Sequence, residues 1–156
     1  MYKMYRTEDF GITKPEFPYK GIFSKRTKTR ETCQFGKDYF YSGRKEIGIA
    51  WSYAPDLELI MQILNNKLGL HLNCCLVNKY LDGMVSGIGK HKDDEAEHCH
   101  DTIVSVSFGD TVPFHLGNEV IEVYDGDIIV FNRHLWHEIP YAQRRERISL
   151  TYRQFK

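Results

Sequence analysis

With 156 residues, 42% of them hydrophobic and 13% aromatic, the chain can bury about two-thirds of its unfolded surface around one core, which excludes a second independent domain. The 21 Lys plus Arg balance the 21 Asp plus Glu, so no global field attracts a polyanion and any nucleic-acid contact has to come from a local patch. Cys33, Cys74, Cys75 and Cys99 lack C-x-x-C spacing, which excludes a small disulfide framework and fits free thiols in a reducing compartment, cytoplasmic or nuclear.

Residues 1–30 are polar and aromatic, broken by Gly11, Pro15, Pro18 and Gly21, and they read as a short helix or loop leading into an edge strand. Their basic end, Lys25, Arg26, Lys28 and Arg30, is either a solvated edge or a phosphate-backbone contact. Residues 31–52 place Phe35, Tyr39, Phe40, Tyr41 and Trp51 among charges and glycines, the pattern of aromatic-rich strands. Over residues 56–68 the period changes: Leu57, Ile60, Met61, Leu64 and Leu68 share one helical face, with Pro55 near the start and Gly69 just past the end.

After Leu72 come short apolar or alternating runs, separated by Asp82-Gly83, Gly109-Asp110, Gly117-Asn118 and Asp125-Gly126. Strands are expected near 74–80, 85–91, 102–108, 112–116, 119–124, 127–132 and 147–154, which makes the C-terminal half a β-sandwich or jelly roll. No apolar stretch approaches the ~18 residues of a membrane span, so the chain reads as soluble and unprocessed, with no membrane partner.

His91 and Asp93 are two residues apart, so on a strand their imidazole and carboxylate face the same way. His137, after a late strand, is the best third ligand, and two histidines with one carboxylate form the facial triad of non-haem iron oxygenases. The last strand, residues 147–153, carries Arg147, Ser149, Thr151 and Arg153 on one face and Ile148, Leu150 and Tyr152 on the other. If the polar face points into a barrel, its two guanidinium groups need anionic partners, and a small dianion would supply them; otherwise it is a solvated edge. His98-Cys99-His100 has no second cluster at ligand spacing and reads as a solvated loop, and His71, His115 and His134 have no evident partner.

In order and approximate spacing, Asn78-Lys-Tyr80, His91-Lys-Asp93-Asp94-Glu95, Ser105-Val-Ser107-Phe-Gly109, Gly126-Asp127, Trp136-His137 and Arg147 through Arg153 resemble the AlkB family of nucleic-acid demethylases. The resemblance implies a mainly β fold: a double-stranded β-helix (jelly roll) over about 72–154, one main supporting helix, and a short N-terminal nucleotide-recognition lid over about 25–52. It implies Fe(II) held by His91, Asp93 and His137, with 2-oxoglutarate as co-substrate and O2 as oxidant. Arg147, helped by Tyr80, would take the distal carboxylate of 2-oxoglutarate, and Arg153 and Asn78 would lie near the carboxylate that chelates the metal. Leu76, Ile88 and Ser105 match positions lining that pocket; Ser149 stands where family members often have Asn, so one hydrogen bond would be absent or bridged by water.

Residues 30–43, with Arg30, Tyr39 and Tyr41, resemble the family's lid. Tyr41 matches a ring that stacks on the target base, unless it is an ordinary strand aromatic, and Asp94 matches an acidic group that contacts the exocyclic amine. The implied activity is oxidative demethylation of N-alkylated bases of the 1-methyladenine or 3-methylcytosine kind, releasing formaldehyde and succinate. A base must be flipped out of a duplex or come from a single strand to reach such a site. Elements that read duplex DNA have no obvious counterpart here, so the expected partner is methylated single-stranded DNA or RNA, bound by a monomer. The alternatives are an AlkB-like oxygenase acting on protein or lipid, and a non-catalytic metal-binding module.

Overall fold

The computed structural model describes residues 1–16, 25–27, 29–41 and 44–156; the side chains of residues 25, 26, 41 and 44 lie outside the described set. Thirteen strands are described: β1 (Tyr2–Arg6), β2 (Lys25–Arg26), β3 (Arg30–Gly36), β4 (Tyr39–Tyr41), β5 (Arg44–Glu46), β6 (Cys74–Tyr80), β7 (Val85–His91), β8 (Thr102–Gly109), β9 (Val112–Leu116), β10 (Glu119–Val123), β11 (Asp127–Asn132), β12 (His137–Gln143) and β13 (Arg147–Arg153). The single α-helix among the described residues, α1 (Pro55–Leu68), lies between β5 and β6.

The larger sheet runs β1-β11-β8-β13-β6-β3-β2 and the smaller β10-β9-β12-β7, with β4 and β5 a separate antiparallel pair. All named pairings are antiparallel, which is the two-sheet jelly roll expected from the spacing of the turns.

Pro55 opens α1, where no intrahelical N–H is needed, and Gly69 ends it in the left-handed region at φ 65°. The buried residues of the helix, Leu57, Ile60 and Leu64, join Cys75, Val77, Val106, Ile128, Ile148, Leu150 and Tyr152 in one core. Each such side chain contributes about 1.5–3 kcal/mol of burial, so packing on the sheet and not helix propensity holds α1. The Tyr152 hydroxyl donates to the Leu57 carbonyl at 2.8 Å and fixes helix against sheet. A second core, with Ile103, Phe114, Leu116, Ile129, Phe131 and Ile139, fills part of the space between the sheets. Because β13 alternates, packing Ile148, Leu150 and Tyr152 on the helix side turns Arg147, Ser149 and Arg153 towards the smaller sheet, all buried.

Two strands differ from the sequence reading. β1 occupies what was expected to be helix or loop before an edge strand, with only a 3-10 turn at Thr7–Phe10; it pairs with β11, a partner far along the chain. β12 had no expected counterpart, because Glu138, Pro140 and Gln143 break any apolar run. Pro140 is accommodated where the register shifts between Ile139 and Ala142, a bulge that needs no ladder hydrogen bond from it.

All four cysteines are free, three buried and Cys99 exposed. Burial pushes the Cys33 thiol up to about 12 and Cys74 up to about 11, and it also holds Cys75 well above the usual range. The native protein should therefore titrate one fast thiol with a disulfide reagent at pH 8 and four after denaturation. Two or more fast thiols in the native state would show that the sheet opens locally.

Candidate metal and co-substrate site

Three elements converge on the floor of the space between the sheets. His91 ends β7 and His137 begins β12, and the two residues are direct partners in the ladder. One extra residue on β7 separates the pairs His137–His91 and Ile139–Ile88, and this bulge lets Ile88 and His91 both face inwards. Asp93 lies two residues beyond the end of β7, so it is not on the strand as the spacing suggested. Its backbone N–H donates to the Arg133 carbonyl at 3.0 Å, and this contact, not strand periodicity, aims its carboxylate.

The Nε2 atoms of His91 and His137 lie 3.3 Å and 3.4 Å from Asp93 Oδ1. Each histidine places Nδ1 on a main-chain carbonyl, Gly89 at 2.7 Å and Leu135 at 2.9 Å, so Nδ1 carries the hydrogen and Nε2 presents a lone pair. Asp93 Oδ1 is buried without a hydrogen-bond partner, while Oδ2 accepts from Arg153 Nε at 2.9 Å and pairs with Nη2 at 2.8 Å. Burial alone would push the Asp93 carboxyl up. Against this, the Arg153 guanidinium on Oδ2 holds the group well below the usual carboxylate range. Contact with Asp93 in turn raises His91 against the opposing effect of burial. With no proton on either Nε2, three acceptors aimed at one point repel one another unless a metal cation sits among them, and their ligand atoms all lie within 4.8 Å of each other.

Above this point is a cavity of about 770 Å³. Leu76, Asn78, Ile88, Ser105, Arg147, Ser149 and Arg153 line it, and so do Arg30, Tyr39 and the exposed Asp94. Arg147 is buried and its Nε donates to Ser107 Oγ at 3.0 Å; among the described residues it has no carboxylate partner, and burial lowers its pKa. Its guanidinium carbon is 5.4 Å from the centre of the Tyr80 ring, whose buried hydroxyl has no hydrogen-bond partner. Arg153 Nη1 is likewise without a partner, and the Oγ atoms of Ser149 and Ser105 are 3.4 Å apart.

The Tyr39 ring is buried and its centre lies 4.9 Å from the Arg153 guanidinium carbon. The expectations for the Tyr41 side chain and for the basic run at Lys25, Arg26 and Lys28 fall outside the described residues.

Sequence reasoning missed Ser107 and Arg133. Ser107 was legible, being two residues from Ser105 on the same face of β8. Arg133 was not, since it is a turn residue without a spacing pattern. Its Nη1 donates to the carbonyls of Asp93 at 2.9 Å and Glu95 at 3.4 Å, and its Nε to Asp101 at 3.0 Å, which ties the Asp93 loop to the turn before His137. Arg133→Ala should weaken divalent-metal binding on the order of 10-fold, measured by Mn(II) titration of the apo protein. An unchanged dissociation constant would show that the loop holds its shape without the clamp. The loop with His98-Cys99-His100 also departs from expectation. His98 is buried, 3.2 Å from Glu95 Oε2 and edge-on to Phe155, and His134 has a partner in Asp101 at 3.3 Å.

The family described as the 2OG-Fe(II) oxygenase superfamily matches residues 3–153. The chain belongs to this superfamily. Among curated proteins it is similar to "DNA oxidative demethylase ALKBH2" of Mus musculus, 31% identical over 140 residues that cover 76% of this chain and 57% of that protein. The Homo sapiens protein of the same name is 29% identical, over 76% of this chain and 52% of its own. The AlkB affiliation read from the order of the motifs is thus borne out, and the chain spans about half the length of the curated relatives it matches. In fold it matches "The structure of OsALKBH1" with a TM-score of 0.55 at 20% identity, over 94% of this chain and 88% of that one. An oxidoreductase of the 2OG-Fe(II) oxygenase family from Burkholderia pseudomallei matches with a TM-score of 0.58 at 20% identity, over 81% and 68%.

Iron(II) and 2-oxoglutarate are the groups this superfamily takes its name from, and the residues present fit both. The unpartnered Asp93 Oδ1 between two Nε2 lone pairs suits a divalent cation, and buried Arg147 suits a carboxylate. Among the described residues no helix is long and apolar enough to cross a membrane.

Proposed function

We propose that this domain removes N-methyl groups from 1-methyladenine- or 3-methylcytosine-type bases in single-stranded DNA or RNA. One observation carries the reading: the convergence of Asp93 Oδ1 with two imidazole Nε2 atoms on the floor of a cavity whose wall offers Arg147 without a carboxylate partner among the described residues. The named relatives, described as DNA oxidative demethylases, support the substrate class.

In this reading His91, Asp93 and His137 would hold iron(II) at the floor of the cavity. When bound, iron with 2-oxoglutarate and dioxygen supplies the oxidation: succinate and carbon dioxide form, the N-methyl carbon is hydroxylated, and it leaves as formaldehyde. Arg153 holds Asp93 Oδ2 so that Oδ1 stays directed at the metal, and its free Nη1, with Asn78, meets the nearer carboxylate of the co-substrate. Arg147 forms a charge-assisted pair with the far carboxylate, and the Tyr80 hydroxyl completes it. Leu76, Ile88, Phe114, Phe131 and Ile139 supply apolar wall that keeps water away. Asp94 and Arg30, at the cavity, meet the base edge and the backbone, and Tyr41 stacks on the base.

The strand preference is testable directly, because a single strand presents its bases without the cost of opening a duplex. Formaldehyde release from 1-methyladenine in matched single-stranded and duplex oligonucleotides should be at least several-fold faster for the single strand. Equal or faster release from the duplex would overturn the single-strand assignment.

A further inference from the structure

The outer surface of the smaller sheet carries a feature that the metal and co-substrate do not use. Lys90, His91, Lys92 and Asp93 are consecutive; Lys90 and Trp136, which precedes ligand His137, are exposed, and Lys92 is half-buried. Trp136 remains 48% exposed, although so large an aromatic side chain is ordinarily well covered. Lys92 Nζ lies 4.7 Å and Lys90 Nζ 5.7 Å from the centre of its ring. Two ammonium groups thus converge on one exposed indole, and among the described residues neither has a carboxylate within ion-pairing distance. Glu119 and Glu138 line the same surface pocket as Lys90 and Trp136 but form no ion pair with either lysine, so both ammonium groups stay available to an anion beside an exposed aromatic ring. Lys92 also lines the cavity, so the patch begins at its rim.

From this juxtaposition we infer that Lys90, Trp136 and Lys92 form a docking platform for the single-stranded nucleic acid flanking the target nucleotide. An unpaired neighbouring base stacks on the indole, and the phosphates on either side pair with the ammonium groups. The inference rests on the nucleic-acid reading above and adds to it the surface that holds the rest of the strand. A neutral chain needs such a local patch, since its net charge attracts no polyanion. An acidic peptide would satisfy the lysines but not the indole face.

The test is fluorescence anisotropy of an unmethylated, labelled single-stranded oligonucleotide titrated with the whole protein at several salt concentrations. Trp136→Ala, a change at an exposed position, should weaken binding by about 5- to 150-fold, and Trp136→Phe should restore most of it. Lys90→Glu should weaken binding and flatten the dependence of log affinity on log salt by about 0.7, the slope that one neutralised phosphate of a single strand contributes. Wild-type affinity for Trp136→Ala, or displacement of the oligonucleotide by polyglutamate as readily as by an unlabelled strand, would overturn the platform.

A methylated nucleoside monophosphate, too short to span site and platform, separates the two readings. If wild-type protein demethylates it and binds the oligonucleotide independently of Trp136, the platform fails and the proposed function stands. If formaldehyde appears from neither nucleotide nor oligonucleotide, the proposed function itself fails.

Discussion

Asp93→Ala should abolish divalent-metal binding and lower the stability of the apo protein at the same time. The first effect follows from losing the central of three converging acceptors, and Mn(II) titration should show no saturable site. The second follows from Arg153, a buried guanidinium that Asp93 Oδ2 contacts through two nitrogens. Leaving one partner of a buried pair uncompensated costs about 3–5 kcal/mol, a fall in Tm of roughly 6–20 °C for a domain of this size. The double variant Asp93→Ala/Arg153→Met removes the stranded charge and should recover most of the stability while still binding no metal. Saturable Mn(II) binding by either variant would move the metal away from this triad. A double variant as unstable as the single one would show that the Tyr39 ring over Arg153 matters more than the ion pair.

Arg147→Ala should raise the Michaelis constant for 2-oxoglutarate by about 30-fold or more, with a smaller change in kcat. The buried side chain is held by one hydrogen bond to Ser107 Oγ and faces the cavity with no carboxylate partner among the described residues. Losing a charge-assisted pair of this kind costs roughly 2–5 kcal/mol of binding. Arg147→Lys keeps the charge but loses the planar fork and should lie between wild type and alanine. Isothermal titration with 2-oxoglutarate in the presence of Mn(II) measures the same effect without turnover. An unchanged affinity in Arg147→Ala would place the co-substrate's far carboxylate elsewhere, and Arg153 Nη1 would be the remaining candidate.

What the sequence disclosed follows from how local each feature is. The alternation of β13 told which of its residues share a face with the arginines, because a period of two leaves only two faces to choose from, but not that this face is buried. The helix was legible from five apolar residues at helical spacing between a proline and a glycine. β1 and β12 were not, since both are defined by partners distant in the chain, and β12 accommodates Pro140 only because a bulge forms against β7.

At the site, His91 and Asp93 do meet, but not through the strand alternation that their spacing suggested. A bulge aims His91, and the Arg133 turn, not strand parity, aims Asp93. The Tyr39 ring over Arg153 depends on where the β4–β5 pair sits, and the Glu95–His98 pair on a loop, for neither of which a local pattern exists.

Nucleic-acid demethylation at this site is tested most sharply by the joint yield of two products from one reaction. Whole protein, iron(II), ascorbate, 2-oxoglutarate and a single-stranded oligonucleotide with one 1-methyladenine should release formaldehyde and succinate in near-equal amounts, and the base should revert to adenine. Succinate without formaldehyde from every methylated DNA and RNA strand, together with formaldehyde from a methylated peptide, would contradict it.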